Sequence, residues 1–590
     1  MLLARNRPYP MVIASGILLA AAFPPFPLPF LACIAFVPLM LVIFQTPEKV
    51  FEDRFWGNVR AAFVILWRFI TLQFIWRYRQ KPWKVQRKII SHYAQVFRYA
   101  YTTFVIWNFG VSYWLMMTAF GAESAAEVLT YLSSGLVANL VNPFLMTIPV
   151  YCYARLRFTP YHRFAPWAFI FLWITFEWLH FNWDLSWSWL TLGHAFSLWP
   201  LAIQYMEFTG VLGVSFVVLL VNVLVYQAVM APSRGQKWSF GVAAGVVFLL
   251  PFLLNIWILH PERKVFSPSG TVNVRVIQPN IDPYQKFQRS TRVQQIAIFD
   301  TLIRKPGIDT IDLVVMPETC LPDYYFPEEL RRKPLLEPLW KTVYEHEFAL
   351  LTGFMELRYF DALDEVPASA YRRIDNGYFD VCNSSTLMQK EPGTPQTFQK
   401  AKLVPMVERM PFLDKLSFLN KWNISLAGSL GGYGLPDSSR NFVTQNGIKI
   451  GSLVCYESEY GDYVREFVGK GAEVITIITN DGWWGNTSGH IQHAHFATLR
   501  AIETRRDIAR SANTGISLFA DNHGRIYQKT RWWTADVIDR KLNRYEATTF
   551  YVRHGDYLGR ISLGISLICI AGFVVFGIRE RQKRKAMPKD

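Results

Sequence analysis

The sequence predicts a membrane α-helical bundle of about eight spans that carries an α/β domain on the outer side of the membrane. Three observations lead there. Hydrophobic residues make up 51% of the 590 positions and gather in long runs, as they do in membrane proteins. Lys and Arg fall on alternate connections between those runs, which marks the cytoplasmic side. One long stretch, from about 265 to 552, has ordinary polarity and alternates strand-like with helix-like patterns.

A span needs ~20 mostly apolar residues. Such runs lie near 10–26, 28–46, 100–120, 134–154, 165–182, 209–230, 239–259 and 560–578. Only the turn Pro24-Pro25-Phe26-Pro27 separates the first two. The first run has no small-residue cleavage site and is followed at once by another, so it reads as an anchor. Arg5 and Arg7 precede it, Arg155, Arg157 and Arg163 follow the fourth span, and Arg234 and Lys237 follow the sixth. The tail holds Arg579, Arg581, Lys583, Arg584, Lys585 and Lys589. The connections 121–133 and 183–208 contain no Lys or Arg. Both termini are therefore expected inside, with seven spans in a membrane domain 1–262, a catalytic domain 265–552 outside, and the last span and basic tail in 556–590. The basic connection 47–99 is read as a cytoplasmic insertion of amphipathic helices on anionic lipid, in preference to a pair of poorly apolar spans.

The net charge of +16 does not indicate nucleic acid, because the cations sit in short patches between apolar runs. The six cysteines are scattered. No pair has zinc-ligand or CxxC spacing, so neither a metal framework nor a redox motif is supported, and sequence leaves open whether Cys320 and Cys382 pair.

In the polar domain, β-rich runs occur at Val272–Gln278, Leu313–Met316, Ala349–Phe354, Ile448–Cys455, Val474–Thr479 and Ile516–Phe519. Helical patterns fall between them at Val293–Arg304, Leu335–His346, Gly461–Gly469 and Gln492–Arg505. This alternation argues α/β architecture. Active residues in such sheets gather at the carboxyl ends of strands. Three segments there carry chemistry. Leu313-Val314-Val315-Met316-Pro317-Glu318 ends in a carboxylate, Phe398-Gln399-Lys400-Ala401-Lys402 in a lysine, and Gly451-Ser452-Leu453-Val454-Cys455 in a thiol. Each alone has an ordinary explanation: a loop acid, a surface cation, an inert core thiol. Their order within one α/β domain is what singles them out.

That order resembles the nitrilase superfamily, and within it the apolipoprotein N-acyltransferase family. The tripeptide Cys455-Tyr456-Glu457 matches, as does Lys400 followed by Leu403-Val404-Pro405 and by Glu408 eight residues on. So do Thr479-Asn480-Asp481-Gly482-Trp483-Trp484-Gly485, Arg500-Ala501-Ile502-Glu503, Asn513-Thr514-Gly515-Ile516, the Phe23-Pro24-Pro25-Phe26 turn and Gly210-Val211-Leu212-Gly213. The family's Phe-Gly before its second glutamate is Met406-Val407 here. The resemblance implies a nitrilase-type αββα sandwich with Glu318, Lys400 and Cys455 as catalytic residues and Glu408, Tyr456 and Glu457 in support. The spacing to Glu408 favours Lys400 over Lys402.

The resemblance further implies a reaction without cofactor or metal. Cys455 would take an acyl chain from a phospholipid as a thioester, with Glu318 as base and Lys400 stabilising thiolate and oxyanion. The amine of a lipoprotein's diacylglyceryl cysteine would then resolve it, in the bacterial inner membrane with the catalytic domain on the periplasmic side. The runner-up is a membrane-anchored amidase of the same triad using water. A transporter with an accessory domain is disfavoured, since no inverted repeat is visible. His490, His493 and His495 lack a nearby carboxylate or cysteine at ligand spacing, so they are not read as a metal site. The run 427–434 is read as a mobile lid near the lipid entrance, with an ordinary surface loop as the close alternative, and not as a phosphate loop. The charge pattern makes a direct prediction. A membrane-impermeant thiol reagent should label Ala125→Cys in intact cells and Lys585→Cys only after lysis; labelling of the latter from outside would refute the span count.

Overall fold

The computed structural model describes residues 8–46, 95–122, 124–260, 264–308, 310–361, 366–372, 377–413, 415, 432–436 and 440–586. The amphipathic reading of 47–99 therefore falls outside them up to residue 94, as does 427–431 of the glycine-rich run. Among the described residues, six helices are long and apolar enough to cross a membrane: Gln95–Gly121, Ala125–Leu156, His162–Phe181, Met206–Met230, Arg234–Ile258 and Tyr557–Arg579. Two shorter apolar stretches, Pro8–Ala21 and Pro29–Gln45, precede them. All eight runs are helical, with two adjustments. The second is broken into Ala32–Ala35 and Val37–Gln45, where Pro38 lacks the N–H a continuous helix needs. The fourth starts nine residues earlier than its apolar run, because Ser124 Oγ accepts the Glu127 N–H and caps it. At 32 residues that helix is ~48 Å long, more than a ~30 Å hydrocarbon core, so it projects beyond the bundle.

On the Arg234–Ile258 helix, Trp238, Val242, Val246, Leu249 and Leu253 are exposed, an apolar stripe of the kind that faces lipid. Inside the bundle, buried amides join helices. Asn222 accepts the Phe36 N–H at 2.8 Å and donates to the Ala32 carbonyl at 2.8 Å.

The polar domain is built on strands β1 (Gly270–Gln278), β2 (Leu313–Val315), β3 (Ala349–Phe360), β4 (Tyr378–Met388), β5 (Gln396–Gln399), β6 (Lys449–Val454), β7 (Val474–Thr479), β8 (Ile508–Ala512) and β9 (Asp536–Arg544). One sheet runs β9–β1–β2–β3–β4, with β5 added on β4. The other has parallel β6, β7 and β8 at its centre and short strands at its edges. Ser511 Oγ in β8 donates to the Ile277 carbonyl in β1 at 2.8 Å, tying the sheets face to face. Helices Arg292–Ile303 and Glu337–His346 share a core with the first sheet, and Gly461–Gly469 and Ser488–Thr504 with the second. This is an αββα sandwich.

Four strands are missing from the β-rich runs of the sequence: β4, β5, β8 and β9. Asn383-Ser384-Ser385-Thr386 in β4 and Arg510 in β8 interrupt the apolar signal while lying buried. The partly exposed edge strand β9 reads Asp-Val-Ile-Asp-Arg-Lys. The last apolar run is Leu518–Ala520 rather than Ile516–Phe519, since Ile516 turns its carbonyl to Arg510.

The sandwich is fastened to the bundle by polar side chains. Gln492 Oε1 accepts from the indoles of Trp189 at 2.6 Å and Trp114 at 3.2 Å, while its Nε2 donates to the Pro24 carbonyl at 2.7 Å. Arg505 reaches Glu207 at 2.7 Å. Two glycines permit close approaches. Gly210, at φ 61° inside the Met206–Met230 helix, lies against Tyr551, whose ring a Cβ would meet at 2.3 Å. In β3, a Cβ on Gly353 would lie 2.4 Å from the Thr319 nitrogen and 2.7 Å from the Glu318 Cα. Those are backbone atoms and cannot swing aside. Gly353→Ala is therefore expected to cost ~1–3 kcal/mol and to displace Glu318. Thermal unfolding in detergent checks the first, and an unchanged midpoint would contradict the crowding.

Candidate active site

Strand ends deliver the candidate residues to one place. Glu318 follows β2, Lys400 follows β5, Cys455 follows β6 and Asn480 follows β7. Thr319 and Cys455 hold φ of 46° and 52°, a left-handed backbone that costs non-glycine residues energy and recurs at functional sites.

Glu318 and Lys400 are almost wholly buried. The Lys400 ammonium donates to Glu318 Oε1 at 3.1 Å and to Glu408 Oε1 at 2.8 Å. Asn383 Nδ2 bridges the same two carboxylates at 2.7 and 3.2 Å. The remaining Glu318 oxygen accepts the Asn480 N–H at 3.1 Å, and that of Glu408 the Val404 N–H at 2.8 Å. Burial by itself lowers the Lys400 pKa, but the two carboxylates overcome it and hold the ammonium well above the ordinary lysine value. Lys402, by contrast, lies over the Tyr460 ring at 5.1 Å.

Cys455 lines the same space. Burial pushes its thiol well above the usual value, and the Glu318 carboxylate pushes the same way against Lys400. The resting group is thus a thiol beside a carboxylate that can receive its proton, not the thiolate expected from Lys400 alone. Glu457 ties the lysine segment to the cysteine strand. One oxygen accepts the Ala401 N–H at 2.6 Å and the other the Val454 N–H at 2.8 Å. Burial raises its carboxyl to about 7 against those bonds. Tyr456 donates to the Ser186 carbonyl at 3.0 Å, anchoring the cysteine turn to a connection of the bundle.

Beneath the turn, His493 Nδ1 lies 2.8 Å from Asp481, and its Nε2 lies 3.4 Å from the Cys455 carbonyl oxygen. Burial would raise the Asp481 pKa, yet Arg510 and His493 hold the carboxylate well below its ordinary range. No group of three His, Cys, Asp or Glu side chains among the described residues has metal-holding geometry. Cys320 and Cys382 are both buried and free.

Several contributors had no role assigned from sequence. Besides Asn383 and the Asn480 N–H, Lys286 donates to the Glu318 carbonyl at 2.7 Å and to Thr319 Oγ1 at 2.9 Å. Its burial pulls the ammonium down to about 8, opposed by Cys320 and Glu318. The available signal for Asn383 was a polar run inside a strand; Lys286, in a polar loop, had none.

Glu318, Lys400 and Cys455 all face a cavity of about 570 Å³, whose opposite wall comes from the bundle through Trp114, Ala138 and Trp187. A cysteine on a sharp turn, a carboxylate and a buried lysine at the strand ends of an αββα sandwich are the arrangement of the carbon-nitrogen hydrolase, or nitrilase, class. Residues 273–550 match that family and residues 82–224 the apolipoprotein N-acyltransferase N-terminal domain. The chain is 28% identical over 578 residues to an apolipoprotein N-acyltransferase of Chlorobaculum tepidum, covering 95% of each chain. It is 30% identical over 544 residues to one of Allorhizobium ampelinum, covering 90% of this chain and 89% of that one. An amidase from Nesterenkonia sp. aligns in three dimensions at 12% identity and a TM-score of 0.31, covering 49% of this chain and 94% of that one. The chain belongs to the apolipoprotein N-acyltransferase family, and is an acyltransferase.

The ion cluster carries a prediction. A lysine whose folded pKa is raised contributes stability that is complete below its unfolded value of 10.5 and lost only above it. Lys400→Met leaves two carboxylates facing each other, and removing one buried partner costs ~3–5 kcal/mol. In that variant, like-charge repulsion raises a carboxylate pKa, so the folded state binds more protons than the unfolded one and stability falls as pH rises. The gap in unfolding midpoint between parent and variant should be smaller at pH 5 than at pH 8; a gap independent of pH would show that the carboxylates do not repel.

Proposed function

We propose that this chain transfers a phospholipid acyl chain to the free α-amine of a diacylglyceryl-cysteine lipoprotein through a Cys455 thioester, as the last step of lipoprotein maturation. The observation that carries the reading is the shared cavity: a nitrilase-type Glu318–Lys400–Cys455 set opens on a mostly apolar space walled by membrane helices. Both substrates keep their chains in the bilayer, so an active site built half from the bundle suits them. The charge asymmetry supports placing residues 265–552 on the periplasmic side of the inner membrane, between the seventh span and the last.

Each group then has a step. Cys455 Sγ attacks an ester carbonyl of the phospholipid as Glu318 takes the thiol proton. The Lys400 ammonium, with the Tyr456 N–H, stabilises the oxyanion. Collapse expels lysophospholipid, whose alkoxide recovers the proton from Glu318. The lipoprotein amine next attacks the thioester, Glu318 accepts its proton, and the departing Cys455 sulfur takes it back. Glu408 and Asn383 fix the lysine and the carboxylate, and Glu457 and Tyr456 hold the cysteine turn.

Purified protein incubated with acyl-labelled phospholipid is expected to form a hydroxylamine-sensitive adduct. Cys455→Ser should abolish it while Cys320→Ser and Cys382→Ser retain it. Lys400→Ala should slow its formation ~10²–10³-fold, the scale of an oxyanion donor, and Glu318→Gln should block both half-reactions. A diacylated lipopeptide with a free amine should discharge the adduct far faster than one with its amine blocked. Rapid discharge by water alone would instead make the chain an amidase-type hydrolase.

A further inference from the structure

The cavity that holds the triad descends along the bundle. On the Ala125–Leu156 helix its lining runs from Tyr131 through Ala138 and Val141 to Leu145, a reach of ~21 Å at helical rise. Its walls are mostly apolar; on the Ala125–Leu156 and Ala165–Phe181 helices, beyond Ser133 and Ser134 near its outer end, the polar members are Asn142 and His180. These two residues and Trp187 also line a second space of about 10 Å³, together with Met146, Trp173, Phe176, Glu177, Leu190 and Thr191. Met146 is one turn beyond Asn142 on its helix, and Glu177, Phe176 and Trp173 are one to two turns beyond His180 on the Ala165–Phe181 helix. The second space therefore lies deeper in the bundle, and Asn142 and His180 form the partition.

That partition is a closed chain of hydrogen bonds. The Trp183 indole N–H lies 3.1 Å from His180 Nδ1 and donates to it, so His180 Nε2 carries the proton and donates to Asn142 Oδ1 at 2.9 Å. Asn142 Nδ2 donates to Asn108 Oδ1 at 2.8 Å, and Asn108 Nδ2 to the Phe104 carbonyl at 2.8 Å. Three spans are tied by it, and each member fixes the next. An intramembrane polar group is costly and marks function. Parting this chain would strand donors and acceptors away from water, at a cost per group that the burial of a terminal methyl does not offset. The space behind also suits an alkyl end badly, since it is water-sized and the buried Glu177 is part of its wall.

We propose that the Asn142–His180 pair is the stop at the deep end of the acyl chamber and sets the longest chain the enzyme accepts. This rests on the acyl-enzyme reading above. An acyl group on Cys455 runs down the apolar wall until its methyl meets the partition. Shortening a partition side chain lengthens the chamber, and enlarging a wall residue above it shortens the chamber. One or two methylenes in a fitted apolar pocket change rates by ~10-fold or more.

The test measures adduct formation by mass spectrometry on the full-length protein, with phospholipids carrying lauroyl, palmitoyl, stearoyl or arachidoyl chains. Asn142→Ala is expected to raise the arachidoyl-to-palmitoyl ratio about tenfold over the parent. Ala138→Phe, which leaves the hydrogen-bond chain intact, is expected to favour lauroyl over palmitoyl by a similar factor. The lauroyl adduct reports that each variant is folded, and Ala138→Phe decides should Asn142→Ala fail to fold. Profiles that superimpose on the parent's overturn the stop while leaving the acyl-enzyme reading standing. A parent that forms no adduct with any donor overturns that reading instead.

Discussion

Two carboxylates share one ammonium inside the protein, and much of the sandwich is arranged around that fact. Glu318, Lys400 and Glu408 make a cluster of two acids about one lysine, with Glu318 and Lys400 almost wholly buried. Burying charge costs several kcal/mol per ion unless every lone pair finds a donor. The donors come from three separate pieces of chain: Asn383 in β4, the Asn480 N–H after β7 and the Val404 N–H beside the lysine, while Lys286 holds the Glu318 backbone carbonyl. Gly353 lets β3 press against the Glu318 backbone. Burial, reinforced by the Glu318 carboxylate against Lys400, holds the Cys455 thiol well above its usual pKa, so on the proposed mechanism its activation waits on transfer of the proton to Glu318.

A second constraint is that the sandwich cannot drift relative to the bundle, because the cavity has walls from both. Gln492 uses both ends of its amide to hold three parts of the bundle at once, including the Pro24 turn. Arg505 makes a buried ion pair with Glu207 and also donates to Gln204 at 2.6 Å. These contacts lie on the Ser488–Thr504 helix and its end, the same helix that places His493 under the cysteine turn. Fixing the domain to the membrane and supporting the nucleophile are thus tasks of one element.

The parts of this arrangement legible in the sequence are those written in local pattern. Apolar run length located the helices, and the parallel strands β6 and β7 read as apolar because both of their faces are covered. Glu318 and Cys455 were visible as polar residues where such strands stop. Lys400 was separable from Lys402 only by its spacing to Glu408, which the ion pair now expresses as a distance of 2.8 Å. What stayed hidden depends on partners remote in sequence. Arg510 makes β8 look like a loop until Asp481 is placed 2.7 Å away. The polar residues of β4 look like a turn until β3 and β5 cover them. Lys286 looks like a surface lysine until the Glu318 carbonyl meets it.

The proposed transfer to an amine rather than to water would ask something of the surroundings of a Cys455 thioester as well as of Glu318 and Lys400. The space in front of Cys455 is bounded by Trp114, Trp187, Trp189 and Trp484, with Trp114 and Trp484 centroids 4.5 Å apart and Trp114 and Trp189 4.8 Å. Two of the indole N–H groups, those of Trp114 and Trp189, point away into Gln492. Those rings therefore present apolar faces to the cavity and offer water no foothold there. A water molecule against these indole faces would surrender hydrogen bonds to bulk solvent that the rings cannot replace. An amine carried on a lipid-anchored chain arrives with its own apolar surface, so its entry buries hydrocarbon against the same wall. On the proposed mechanism, the discrimination between acceptors then lies in the differing cost of reaching the thioester, with Glu318 as the base for either one.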